Sequence, residues 1–177
     1  MAIQSKQLTD QDFDKVYDEQ ADYVYSLSRR LSKTNSDAED LFQEAFLKAF
    51  RFFPKFRGGS LRGWLRKIVV TTNISRHRGK DKQPTVPFDQ YEGWKESIPD
   101  DSAGPEQLAE ERERRQQLQS ALEQLGEDAR RMIVLRELEG LDYNEIAETL
   151  EIPKGTVRSR LSRAREALRR VLEQADG

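Results

Sequence analysis

The sequence predicts an all-α protein made of two small helical bundles joined by a flexible acidic linker. Three observations carry this. Apolar residues step by three and four through most of the chain; neither strand-like alternation nor an internal repeat is found; and a proline-rich acidic stretch interrupts the helical pattern between Gly79 and Pro105. With 177 residues the chain suits one domain or two small ones, each burying a modest core. Hydrophobic residues make up 36% of it, low for a globular protein but more than a wholly disordered chain carries. No apolar run approaches the roughly 20 residues that cross a bilayer, and no apolar leader follows Met1, so membrane insertion is not expected. The lack of cysteine excludes disulfides, thiolate zinc sites and cysteine nucleophiles, and suits a reducing, cytoplasmic setting.

The elements follow in order. Phe13, Val16, Tyr17, Ala21, Val24, Leu27 and Leu31 lie on one face of a first helix. Ala38, Leu41, Phe42, Ala45, Phe46, Ala49 and Phe53 repeat the pattern, and Ser36 followed by Glu39 reads as a capping box that starts the second helix near Asp37. Gly58-Gly59 breaks the chain, Ser60 can cap, and Leu61, Trp64, Leu65, Ile68, Val69 and Thr72 form a third stripe. These helices make a bundle over residues 1–80. Prolines at 84, 87, 99 and 105, set among acidic residues, mark a linker over 81–111, because proline at that density cannot sustain a helix. The second unit, over 112–177, has apolar clusters ending at Gly126 and Gly140. Asp142 with Glu145 then opens a short helix holding Ile146, Ala147 and Leu150. Ile152-Pro-Lys-Gly155 turns tightly into a last helix from Thr156 to Val171.

Net charge is only −2, from 30 basic and 32 acidic residues, which looks unpromising for a nucleic-acid binder. The charges are segregated, however. Arg57–Lys82 and Lys154–Arg170 are basic, whereas Asp89–Glu113 and Glu137–Glu151 are acidic, so local fields of opposite sign are expected. A short helix, a turn and a longer basic helix are the parts of a helix-turn-helix. On the last helix Val157, Leu161, Ala164 and Leu168 would pack inward. The opposite face presents Ser159, Ser162, Arg163, Glu166 and Arg170, flanked by Arg158 and Arg165. Arginine reads guanine edges by paired hydrogen bonds, and serine with flanking arginine holds phosphates. A merely solvated Arg-rich face is the alternative.

Around the third helix, Phe52, Phe53, Phe56 and Trp64 lie beside Arg57, Arg62, Arg66 and Lys67. That is the composition of a single-strand binder, with aromatics for stacking and cations for the backbone; ordinary core aromatics explain the spacing equally well. Asp37, Glu39, Asp40, Gln43 and Glu44 make the start of the second helix acidic. This either complements the helix dipole or docks on a basic protein, since it would repel DNA. The one histidine, His77, has no recognisable nucleophile or carboxylate partner, and no phosphate-cradling glycine loop is found, so no catalytic residue, cofactor or metal site is expected. A free-standing DNA-binding regulator and a pure interaction protein remain open on these grounds.

Asp37-Ala-Glu-Asp-Leu-Phe-Gln-Glu-Ala-Phe46, Phe56-Arg-Gly-Gly-Ser-Leu-Arg-Gly-Trp-Leu65 and Ile152-Pro-Lys-Gly-Thr-Val-Arg-Ser-Arg-Leu-Ser-Arg-Ala-Arg165, the last preceded by Tyr143-Asn-Glu-Ile-Ala-Glu-Thr-Leu150, resemble bacterial sigma factors of the extracytoplasmic function (ECF) group of the sigma-70 family. The resemblance spans nearly the whole chain in the right order. It implies a non-catalytic RNA polymerase subunit that directs core enzyme to promoters, with core polymerase, promoter DNA and an anti-sigma factor as partners. By motif position it implies that Asp37, Glu39, Asp40, Gln43 and Glu44 dock on the β′ coiled coil, with the β flap as a second contact. It further implies that Arg62, Trp64, Lys67, Asn73, Arg76 and Arg78 read and melt the −10 element, and that Lys154, Thr156, Arg158, Ser159, Ser162, Arg163 and Arg165 read the −35 element. Thr71 stands where many members carry Asn, and Ser162 replaces a bulkier residue of some relatives, so the promoter sequences themselves are not implied.

Overall fold

The computed structural model describes residues 10–79, 104–175 and 177. Within them the chain forms α1 (Asp10–Leu31), α2 (Asn35–Phe52), a 3-10 turn (Phe53–Lys55), α3 (Leu61–Arg78), α4 (Pro105–Gln124), α5 (Glu127–Ile133), a π-helical turn (Val134–Leu138), α6 (Tyr143–Leu150) and α7 (Lys154–Ala175), and no strand occurs among the described residues.

Helices α1 to α3 form the first bundle, and the stripes read from the sequence are its core. Val24, Leu27, Leu31, Leu41, Phe42, Phe46, Leu65 and Val69 are buried, each contributing about 1.5–3 kcal/mol when removed fully from water. Phe13, Tyr17, Phe42 and Phe46 pack mainly edge-on across α1 and α2, with Tyr17 and Phe46 centroids 4.7 Å apart. The second helix starts two residues before the expected Asp37. Thr34, not Ser36, is its cap, accepting from the Asp37 N–H at 3.1 Å. Thr34 holds the extended backbone a cap requires, whereas Ser36 already lies inside the first turn. Ser60 caps α3 as expected, through a bond from the Gly63 N–H. Gly58 and Gly59, both at φ above +90°, supply the left-handed backbone that turns the chain into that cap.

Residues 105–111, expected in the linker, belong to α4. Pro105 sits in its first turn, where a missing N–H costs nothing. Ion pairs at i,i+4 spacing join Glu110 to Arg114 and Glu111 to Arg115. Only Ala121 and Leu122 of α4 are buried, so its first turns have no apolar stripe for periodicity to detect. The rest of the expected linker, 81–103, lies outside the described residues.

Helices α4 to α7 close round Leu122, Leu125, Met132, Ile133, Leu135, Leu141, Ile146, Val157 and Leu161. The buried apolar residues of both bundles form one continuous cluster. At its centre the fully buried Arg130 ties the α4–α5 corner to the end of α1. It donates to the carbonyls of Leu122 (2.7 Å), Leu125 (2.7 Å) and Leu31 (3.2 Å) and to Glu127 Oε1 (2.9 Å). Beside it, Arg131 Nε donates to Asn73 Oδ1 across the two bundles at 2.7 Å. Burial pulls the Arg131 pKa down from its ordinary value, and Asp128, which accepts from it at 2.8 Å, opposes that shift.

Candidate nucleic-acid interface

The helix-turn-helix is assembled by local signals. The Asp142 side chain accepts from the Glu145 N–H, and the Glu145 side chain accepts from the Asp142 N–H, both at 2.8 Å, which completes the capping box that starts α6. The helix ends at Glu151 in left-handed backbone (φ +55°), whose N–H returns to the Ala147 carbonyl. The chain then passes Pro153 into α7. Val157, Leu161 and Ala164 are buried, the inward face the periodicity called for, with Leu168 half-buried behind them.

The outward face of α7 carries Lys154, Arg158, Ser159, Ser162, Arg163 and Arg165, all exposed, with Thr156 half-buried at its start. Ser159 Oγ donates back to the Thr156 carbonyl. Arg165 is held from outside the helix: its Nε and Nη2 both donate to Glu137 Oε1 (2.9 and 2.7 Å), a bond that raises the Arg165 pKa. Tyr143, at the start of α6, shares a concave surface with Arg158, Ser162, Arg163, Arg165 and Arg170. The Arg136 guanidinium sits 5.5 Å from the Tyr143 ring centroid. Sequence reasoning missed Glu137 and Tyr143, because Glu137 reaches α7 only through the π-helical turn, which no sequence period announces.

The residues assigned to −10 reading are divided among environments. Trp64 is half-buried in a cluster with Phe53 and Phe56, ring centroids 6.3 and 5.1 Å away, so these three act as core in this arrangement; Phe52 stays exposed. Arg62 lies 3.9 Å over the Tyr23 ring. Lys67 and Arg78 are exposed. Asn73 is buried beneath Arg131. Arg76 reaches back to α2, pairing with Asp40 at 3.5 Å and Glu44 at 3.2 Å. The structure thus joins one expected DNA-facing cation to two residues of the expected docking face. The other members of that face, Asp37 and Glu39, are exposed, Gln43 is half-exposed, and the Leu47 and Phe50 side chains extend the same side of α2 as an exposed apolar strip.

A helix-turn-helix with an open basic recognition helix, packed on a three-helix bundle bearing an acidic helix face, defines a class of transcription protein, and comparison places it. Residues 16–83 match the family model for sigma-70 region 2, and residues 115–168 match that for sigma-70 region 4. The ECF RNA polymerase sigma factor SigE of Mycolicibacterium smegmatis is 38% identical over 164 residues, covering 90% of this chain and 61% of that protein. The ECF RNA polymerase sigma-E factor of Escherichia coli K12 is 42% identical over 142 residues, covering 76% of this chain and 73% of that one. This chain therefore spans about three fifths of the mycobacterial relative and about three quarters of the enterobacterial one. The chain belongs to the sigma-70 family of RNA polymerase sigma factors, in its extracytoplasmic function group.

Among solved structures, the sigma factor RpoE in complex with the anti-sigma factor NepR from Bartonella quintana has a TM-score of 0.61 at 25% identity, over 92% of this chain and 98% of that one. CnrH in complex with the cytosolic domain of CnrY has a TM-score of 0.60 at 20% identity, over 96% of this chain and 92% of that one, a likeness of fold. No described helix is long and apolar enough to cross a membrane.

Proposed function

We propose that this chain is a non-catalytic specificity subunit that brings core RNA polymerase to promoters in the cytoplasm, with its two bundles, α1–α3 and α4–α7, as separate readers. The observation that carries the reading is the open face of α7. Arg158, Ser159, Ser162 and Arg163 project from a helix whose back is buried against α6, as major-groove readout requires. Lys154, Thr156 and Arg165 then serve the flanking phosphates. Phosphate contacts set register and lose strength with salt, whereas the base-edge contacts of the two arginines set sequence.

In the first bundle, Asp37, Glu39, Asp40, Gln43 and Glu44 dock on the β′ coiled coil, and the β flap engages the second bundle. Arg62, Trp64, Lys67, Asn73, Arg76 and Arg78 hold the −10 strand once its bases leave the stack. Melting is then stabilised by binding the opened strand rather than by chemical work. Two weak readers held at promoter spacing by core reinforce each other through effective concentration. An anti-sigma factor is the expected regulator, since the similar sigma factor RpoE was solved in complex with the anti-sigma factor NepR.

Run-off transcription with purified bacterial core polymerase, with and without this protein, tests the reading on genomic fragments of its host. New discrete start sites that vanish with Arg158→Ala/Arg163→Ala support it. Duplex binding without core binding or transcripts would instead favour a free-standing DNA-binding regulator.

A further inference from the structure

Among the described residues, Glu137 is the one carboxylate outside α7 that pairs with a cation of that helix. Arg165 Nε and Nη2 both donate to Glu137 Oε1, at 2.9 and 2.7 Å. Arg169 and Arg170 pair instead with Glu166 and Glu173, three or four residues away on α7 itself. Such pairs are what any charged helix makes along its own surface. The Glu137 pair depends on tertiary placement, and its carboxylate stands on a fixed base. It belongs to the π-helical turn, which the Glu139 N–H closes onto the Val134 carbonyl. Val134 and Leu135 before it are fully buried, and Arg136 beside it donates to the Leu141 carbonyl at 2.7 Å.

The Arg165 guanidinium thus has one edge taken and the other open. Two of its five N–H groups serve Glu137, which leaves both on Nη1 and the second on Nη2. The side chain is 49% exposed and borders the concave surface that Tyr143, Arg158 and Ser162 also line. Arg158 and Arg165 are seven residues apart, so Arg165 lies about two turns further along nearly the same line of α7. A recognition helix sets its N-terminal residues on base edges, and an arginine two turns on is left to the sugar-phosphate backbone.

We infer that Glu137 is a positioning residue for −35 recognition, which holds Arg165 in place so that its open edge meets one backbone phosphate of the duplex. The role rests on α7 being the −35 reader. A half-exposed ion pair adds little to stability, so the consequence of this one lies in orientation. An unheld arginine gives up its rotamer freedom on meeting DNA, whereas Arg165 has surrendered part of it in the free protein. The planar fork allows one edge to bind a carboxylate and another a phosphate, which a lysine ammonium does not match. A counter-ion that merely masked Arg165 would act in the opposite sense, by repelling DNA.

Full-length protein assembled with bacterial core polymerase is titrated against a labelled duplex carrying the −35 half of a promoter mapped by run-off transcription. Fluorescence anisotropy gives Kd at several salt concentrations. Glu137→Ala should weaken binding by roughly two- to tenfold, the ordering cost of one long side chain. Glu137→Gln keeps an acceptor oxygen for Arg165 and should stay within about twofold of wild type. Arg165→Ala should weaken binding and lower the salt slope by about one, the mark of a single phosphate contact. Once Arg165 is alanine, Glu137→Ala should change nothing further. Helical content by circular dichroism should match wild type throughout.

Unchanged or tighter binding in Glu137→Ala overturns the proposal, the second result marking a masking counter-ion. A loss that persists in the Arg165→Ala background also overturns it, because Glu137 would then act through the fold. An unchanged salt slope in Arg165→Ala overturns the phosphate contact. If Arg165→Ala binds as wild type while Arg158→Ala/Arg163→Ala does not, the positioning role falls and α7 remains the reader. If all bind as wild type, or wild type binds no duplex, the assignment of α7 falls with it.

Discussion

Replacing Arg130 by methionine should destabilise the fold by about 2–4 kcal/mol. The guanidinium is fully buried, and it is the donor that serves the carbonyls of Leu125 and Leu31 at 2.7 and 3.2 Å. The Leu122 carbonyl retains a bond from the Leu125 N–H, so it loses only one of two partners. Two buried carbonyls left without a donor cost about 1–3 kcal/mol each. Part of this is offset because methionine fills much of the space and brings no charge to desolvate. For a chain of this length 1 kcal/mol moves the melting temperature by about 2–4 °C, so a fall of roughly 4–16 °C is expected. Arg130→Lys should fall between the two, since one ammonium cannot span carbonyls from α1, α4 and the α4–α5 corner at once. Urea unfolding followed by far-UV circular dichroism measures the difference. A methionine variant within about 0.5 kcal/mol of wild type, the range of an ordinary surface substitution, would refute the assignment of Arg130 as the tie between these elements.

Other expectations follow from the same contacts. Arg158→Ala and Arg163→Ala should each weaken −35 duplex binding by about 1–3 kcal/mol, roughly 5- to 150-fold, if each contacts a base edge; fluorescence anisotropy against a mapped promoter duplex decides it, and an unchanged double variant would remove α7 as the reader. Asp40→Lys with Glu44→Lys should reduce capture of core polymerase in a pull-down while leaving the circular dichroism spectrum intact, because their pairs with Arg76 are partly exposed and surface ion pairs contribute at most about 1 kcal/mol. Burial, reinforced by the Glu139 carboxylate, pushes the Tyr23 hydroxyl up to about 12. A raised pKa stabilises the folded protonated form. That contribution is complete below the ordinary tyrosine pKa of about 10 and is lost as pH rises through about 12. Ultraviolet titration of wild type against Tyr23→Phe isolates this residue, and ionisation near pH 10 would show that the hydroxyl is not enclosed.

The helices that bury one continuous stripe were legible from spacing alone. Val24, Leu27 and Leu31 on α1, the Ala38-to-Phe53 series and the inward face of α7 all occupy the core they were expected to occupy. The Asp142–Glu145 box was legible because a cap is a contact between residues three apart. The first turns of α4 were not, since ion pairs and helix propensity hold a helix there without an apolar face. The exposed face of α7 was legible in the sequence because a helix with one buried face must present the other to solvent. The fate of Asn73, Arg76, Arg131 and Glu139 could not. Each has a partner tens of residues away, so its contacts depend on how the packed helices meet, within the first bundle for Arg76 and between the bundles for the other three, rather than on local period. Sequence by itself thus determined which helices form, which faces are apolar and where opposite charges gather. Only the tertiary structure decided that Arg130 closes the ends of two helices, that Arg76 joins the acidic face of α2 to α3, and that Glu139 and Arg131 meet Arg66 and Asn73 on one side of α3, because buried polar groups must find partners wherever the packed backbone brings them.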